Sequence, residues 1–115
     1  MRIGQLARMV GVTTSRIRFY EAHGIIAPAA RAANGYRDYD ARTAAALRFI
    51  VQSQDLGFSL DEIRNAVRLK RSHRLRDADV LSALRRKLAG VEQRIAEART
   101  LRTRIKRVIA VVEAD

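Results

Sequence analysis

From Leu81 to Val112 the chain carries an apolar stripe that it cannot bury by itself. Leu81, Leu84, Leu88, Val91, Ile95 and Ala98 follow one another in alternating steps of three and four residues, with no proline between Ala78 and Val112 and Gly90 as the only glycine. That spacing is the seam of a coiled coil. The phase slips once, because Leu101, Ile105, Val108 and Val112 resume the stripe only after a second step of three, a stammer in the heptad. At 1.5 Å per residue such a helix is roughly 50 Å long, more than the short elements upstream can cover. The seam needs a second chain, and a homodimer joined through Leu81, Leu84, Leu88, Val91, Ile95, Leu101, Ile105 and Val108 is expected.

Upstream the pattern is of short, well-punctuated helices. Ile3, Leu6, Ala7 and Val10 have helical spacing, and Gly11 stands where a helix takes a left-handed closing residue. Thr13 can cap a second helix running through Ile17 and Tyr20 to about His23, with Gly24 as its stop. Two short helices joined by a turn of about three residues make a helix-turn-helix. Pro28 prevents further helix. Asn34-Gly35, between Arg31 and Tyr36-Arg37, then predicts a two-stranded hairpin with a two-residue turn, since both turn positions of that type take positive φ. Asp40 reads as the cap of a third helix over Ala44, Leu47, Ile50 and Val51, ending at Gly57. Ser59 and Glu62 form a capping box, with Phe58 and Ile63 as a hydrophobic staple, for a fourth helix ending near Leu69–Arg71. The expected organisation is 1–71 as a winged helix-turn-helix domain, 72–77 as a connector and 78–115 as the dimerisation helix.

Charge and residue types narrow the chemistry. Over 115 residues there are 23 basic and 12 acidic side chains, a net charge of +11, spread along the whole length and carried almost entirely by arginine. A polyanionic partner follows, because a planar guanidinium suits phosphate oxygens and guanine edges. With no cysteine there is no disulfide, no thiolate metal ligand and no cysteine nucleophile. His23 near a helix end fits terminal carbonyls better than a metal, and His73 lies in a polar connector. Asp77 and Asp79 sit where a helix dipole favours negative charge, with no base or nucleophile beside them. No enzyme active site, metal or cofactor is expected. Neither a signal core nor a bilayer-spanning run is present in the sequence, so a cytoplasmic protein is expected.

On the second helix Thr14, Ser15, Arg18 and Phe19 share one side, while Ile17, Tyr20 and Glu21 point more nearly to the other. The first set could enter the major groove of duplex DNA, with Arg18 able to hold guanine through two hydrogen bonds. A hairpin bearing Arg31, Tyr36 and Arg37 beside it offers basic and aromatic groups to flanking phosphates.

The ordered runs Ile3-Gly4-Gln5-Leu6-Ala7, Gly11-Val12-Thr13, Ile17-Arg18-Phe19-Tyr20-Glu21, Asn34-Gly35-Tyr36-Arg37 with Tyr39, and Leu56-Gly57-Phe58-Ser59-Leu60-Asp61-Glu62-Ile63 closely resemble the MerR family of bacterial transcriptional regulators over about residues 1–71. The resemblance implies a mainly α fold with a small β-hairpin wing, a helical pair acting as a second wing, and a long C-terminal helix forming an antiparallel coiled coil between two subunits. It implies binding to a palindromic operator within promoter DNA, and distortion of the operator centre that lets RNA polymerase start, a form of indirect readout. It places Thr13, Thr14, Arg18 and Tyr20 of the helix, and Arg31, Tyr36 and Arg37 of the wing, at the DNA; with Ser15, Arg16 and Phe19 of the same helix and Gly35 of the turn they make up the expected DNA-contacting set. Within that set Tyr20 would pack its ring inward and turn its hydroxyl outward.

The resemblance departs at the sensor. Metal-sensing members carry cysteines near the start and just beyond the end of the dimerisation helix, where this chain has Asp77 and, near the second place, Val112. Drug-sensing members append a domain that has no counterpart in these 115 residues. A ligand-independent repressor or DNA-bending protein is therefore an alternative within the class. A coiled-coil protein-interaction module is the alternative outside it.

Overall fold

The computed structural model describes residues 1–115 as two compact units, Met1–Leu75 and Arg76–Asp115. In the first, α1 (Ile3–Val10), α2 (Thr14–Ala22), the strands β1 (Ala30–Arg31) and β2 (Arg37–Asp38), α3 (Ala41–Asp55) and α4 (Leu60–Arg71) enclose one core. Leu6, Ile17, Tyr20, Ile25, Ile26, Leu47, Ile50 and Ile63 are its largest fully buried side chains. Each buried aliphatic side chain contributes about 1.5–3 kcal/mol, enough collectively to hold helices too short to be stable alone. The second unit is the single helix α5 (Asp77–Ala114), in which no residue is buried.

Caps set the helix boundaries. Gly11, at φ 82°, closes α1 by donating its N–H to the Ala7 carbonyl at 2.8 Å, and Thr13 Oγ1 starts α2 by accepting the Arg16 N–H at 3.1 Å. Asp40 caps α3 through the Thr43 N–H at 3.0 Å. That bond is the main reason the Asp40 carboxyl titrates below its usual range. The cap is therefore present above the unfolded-state pKa and is lost as pH falls through the lower folded-state value. Ser59 and Glu62 make the reciprocal bonds of a capping box at 3.1 and 2.9 Å, and Phe58 packs against the core that contains Ile63.

Two details differ from the expectation. The wing does not turn on two residues: Ala30 pairs with Asp38 and Arg31 with Arg37, and Ala32 N–H reaches the Tyr36 carbonyl at 2.8 Å across a loop of Ala33, Asn34 and Gly35. Only Gly35 of these has positive φ. Asn34 instead accepts the Tyr36 N–H on Oδ1 at 3.1 Å, so the asparagine stabilises the turn through its side chain and leaves the left-handed position to glycine, the three-residue hairpin form. The other detail is that α5 begins at Asp77 rather than at Ala78, with Asp79 accepting the Arg76 N–H at 3.3 Å.

His73 follows the end of α4 with φ 55°, the only residue other than glycine at positive φ. Its N–H bonds to the Lys70 carbonyl, and the Arg74 N–H to that of Leu69. A Cβ in that conformation costs energy that glycine avoids. His73→Gly is accordingly expected to raise stability by up to about 1 kcal/mol, visible as a higher urea midpoint with unchanged slope; an unchanged or lower midpoint would show that the imidazole has a stabilising role of its own.

Candidate nucleic-acid interface

The turn at Gly11–Thr13 and the burial of Ile17 and Tyr20 fix α2 in the core along one face, leaving Thr13, Ser15, Arg18 and Phe19 on the exposed face. Thr14 is half-buried. Arg18 is exposed and has no hydrogen-bond or ionic partner within the chain, which leaves its whole guanidinium fork free for an external acceptor. Phe19 is partly occupied: its ring lies 4.0 Å from that of His23, centroid to centroid. His23 Nδ1 in turn lies 2.9 Å from the Phe19 carbonyl, the helix-end role expected of it.

The structure corrects the reading of the Tyr20 hydroxyl and gives Arg16 partners within the chain. Tyr20 is fully buried, and its hydroxyl does not turn outward. It accepts from Arg16 Nε at 2.7 Å and donates to Gln54 Oε1 on α3. Arg16 also donates to Gln54 Oε1 at 2.8 Å and lies 3.8 Å from Asp55. The cause is helical geometry, since residues four apart share a face and Arg16 therefore follows Tyr20 toward α3. Both side chains join the first helical pair to the third helix, Tyr20 fully buried and Arg16 still partly exposed. Gln54, the acceptor at the centre, carried no sequence signal, because an amide at the end of a helix is unremarkable until its partners are known.

The wing is built from a strand pair that would be marginal alone, and it is fastened at its base. Tyr39 is buried, and its N–H donates to the Met1 carbonyl at 2.7 Å. Arg37 Nη1 donates to Glu21 Oε2 at 2.5 Å, tying the wing to α2 through a carboxylate whose side chain is only 7% exposed. Glu21 Oε1 and the Tyr39 hydroxyl are both buried and neither makes a hydrogen bond of good geometry. Burial, and then the Glu21 carboxylate, push the Tyr39 phenol above its ordinary pKa, so it stays neutral there. At the outer end Arg31 Nη1 donates to the Gly35 carbonyl at 3.2 Å. Tyr36 is exposed, and the Arg2 guanidinium sits 4.2 Å above its ring centroid. Arg2 was not among the expected DNA-contacting residues. A single basic residue ahead of α1 gives no hint of the fold that brings it to the wing.

Glu21 thus holds Arg37 at the joint between helix and wing. Glu21→Gln, which keeps the shape and removes the charge, is expected to lower stability by about 1–2 kcal/mol, since hydrogen bonds to charged groups are worth more than neutral ones. Chemical denaturation measures this, and a neutral result would mean that Arg37 gains nothing from the pair.

Comparison with known proteins follows the same outline. Residues 1–70 match the model for the MerR HTH family regulatory protein, and residues 44–108 match that for MerR, DNA binding. Along its whole length the chain is 35% identical to an uncharacterised HTH-type transcriptional regulator of Pseudomonas aeruginosa, PA4778, and covers 87% of it. Over 91% of its length it is 36% identical to the HTH-type transcriptional regulator CueR of Yersinia pestis, covering 76% of that protein. Among solved structures, the transcription regulator PbrR691 from Ralstonia metallidurans CH34 in complex with lead(II) has a TM-score of 0.77 at 30% identity, covering 91% of this chain and 82% of that one.

Proposed function

This chain belongs to the MerR family of helix-turn-helix transcriptional regulators, and on that premise we propose that it binds a palindromic operator in promoter DNA as a homodimer and controls transcription by distorting the operator centre. The observation that carries this reading is the exposed, unpaired Arg18 on α2, on the same compact unit as a wing that presents Arg31, Tyr36 and Arg37. Arg18, with Thr13, Thr14, Ser15 and Phe19 around it, reads base edges or backbone in the major groove, while the wing, with Gly35 at its turn, holds flanking phosphates and sets the register. Each copy supplies one half-site, so the two-fold symmetry of the protein is matched by that of the DNA. RNA polymerase at the same promoter is the partner that responds. No helix is long and apolar enough to cross a membrane, and the proposed place of action is the cytoplasm; no catalytic role is proposed.

Bending and untwisting a site of this kind costs about 1–6 kcal/mol, which contacts at both half-sites offset. A fluorescent adenine analogue at the operator centre reports the distortion directly. Its emission is expected to rise as bases unstack on binding; unchanged emission at full occupancy would overturn the distortion mechanism while leaving binding intact.

A soft-metal sensor does not fit this donor set. The chain has no cysteine, and no group of three or more histidine, aspartate or glutamate side chains is placed to hold an ion. Carboxylates are hard donors and do not substitute for thiolates toward monovalent copper, silver or mercury. Reconstituted transcription with this chain is therefore expected to be indifferent to those ions at concentrations that saturate thiolate sites. Stoichiometric tight binding with a matching change in transcript would contradict this.

A further inference from the structure

Besides the α2 and wing residues, the first unit carries a second concentration of positive charge. Arg64, Arg68 and Arg71 follow at steps of four and three along α4, so they share one face of that helix. They line an open groove of about 760 Å³ between α4 and the segment that follows α2. Arg74 lines it too, because the chain reverses at His73: with φ 55° there, the Arg74 N–H returns to the Leu69 carbonyl at 2.8 Å. A strained backbone thus sets the fourth arginine beside the last turn of α4 rather than beyond it. No acidic residue lines the groove, and Ile25, Val67 and Leu69 give it an apolar part. Arg64 is held by Asp61 at 2.7 Å and by the His23 carbonyl at 3.0 Å. Arg68 is engaged only through Nη2, with Asn65. The side chains of Arg71 and Arg74 have no hydrogen-bond or ionic partner within the chain.

We propose that this groove binds a small organic phosphate, a ring-bearing phosphate ester of mononucleotide size. The site is independent of the DNA reading. A phosphate monoester brings about −1.5 to −2 charge and three strong acceptor oxygens at pH 7, and the free forks of Arg71 and Arg74, with that of Arg68, suit such oxygens in paired hydrogen bonds. The ring has the apolar side chains of Val67 and Leu69 to lie against. Offsetting the dipole at the end of α4 does not account for the arrangement, since charge anywhere around the last turn serves that purpose. Lys70 does so from another face, where it lies 4.4 Å from the Phe49 ring centroid. The dipole itself amounts to about half a negative charge, which four guanidinium groups outweigh. The groove falls within the roughly 300–1,000 Å³ of small-ligand clefts. Its recessed form suits a small molecule better than a duplex, whose convex backbone is met by projecting elements such as the wing.

Calorimetric titration of the full chain with adenosine 5′-monophosphate tests this, with adenosine and citrate as controls that lack the phosphate or the ring. The monophosphate is expected to bind saturably, one per chain, and about tenfold or more tighter than either control. Arg71→Ala/Arg74→Ala is expected to lose about tenfold or more of that affinity with an unchanged circular dichroism spectrum, since neither side chain holds another in place. Arg102→Ala/Arg107→Ala, which removes the same charge from α5, is expected to bind as the parent does. Random-sequence duplex in excess is expected not to displace the ligand. Absence of saturable binding, citrate or adenosine binding as tightly as the monophosphate, or equal losses in the two double variants would each overturn the proposal. Displacement by the duplex would overturn it as well and assign the groove to the DNA surface.

Discussion

Arg18→Ala is expected to lower affinity for the specific operator by about 1–3 kcal/mol while changing affinity for random duplex much less, because a bidentate contact to a base is worth that much discrimination. Nothing within the chain competes for this guanidinium or is left unpaired by its removal, so the fold should be unaffected. Arg37→Ala should behave differently. It sits on the wing in a bond with Glu21, and its loss should weaken binding to all sequences alike and reduce the salt dependence by about one unit. Equal losses on operator and random DNA for Arg18→Ala would remove it from the base-reading set.

Leu88→Asp is expected to abolish the dimer. Leu88 is exposed in the single chain, and burying one leucine contributes about 1.5–3 kcal/mol. The substitution removes that contribution from both copies and adds the cost of desolvating two carboxylates at the seam. Because the buried core residues all lie within Met1–Leu75, that unit should keep its helical signature and melt as before. The separated units should bind half-sites only weakly, having lost the linkage between them. Sedimentation and circular dichroism of the same sample check both parts, and a wild type already monomeric at micromolar concentration would end the dimer reading.

How far the sequence could be read depended on how local each determinant is. Gly11, Thr13, Asp40 and the Ser59–Glu62 box act on amides within three or four residues, and the helices start and stop where these residues put them. The long helix was equally legible, because a period repeated over thirty residues is hard to mistake. The turn of the wing was read one residue short, since Asn-Gly suits two hairpin geometries and pairing of the strands decides between them. What escaped reading in the interface is non-local. Gln54 takes up Arg16 and Tyr20 across more than thirty residues of sequence, Glu21 meets Arg37 from another element, and Arg2 arrives over Tyr36 only once the first unit has folded. A side chain's position on a helical wheel tells which face it takes but not what stands opposite.

The central claim, that this chain reads DNA sequence as a symmetric dimer, is tested most directly by footprinting it on the region upstream of its own gene at several salt concentrations. The expected result is one protected stretch with an internal palindrome, overlapping the promoter, whose affinity falls steeply with salt yet stays well above that for random duplex. Protection without symmetry or sequence preference, or binding that salt barely changes, would contradict the claim and make the basic surface an incidental feature of a protein-interaction module.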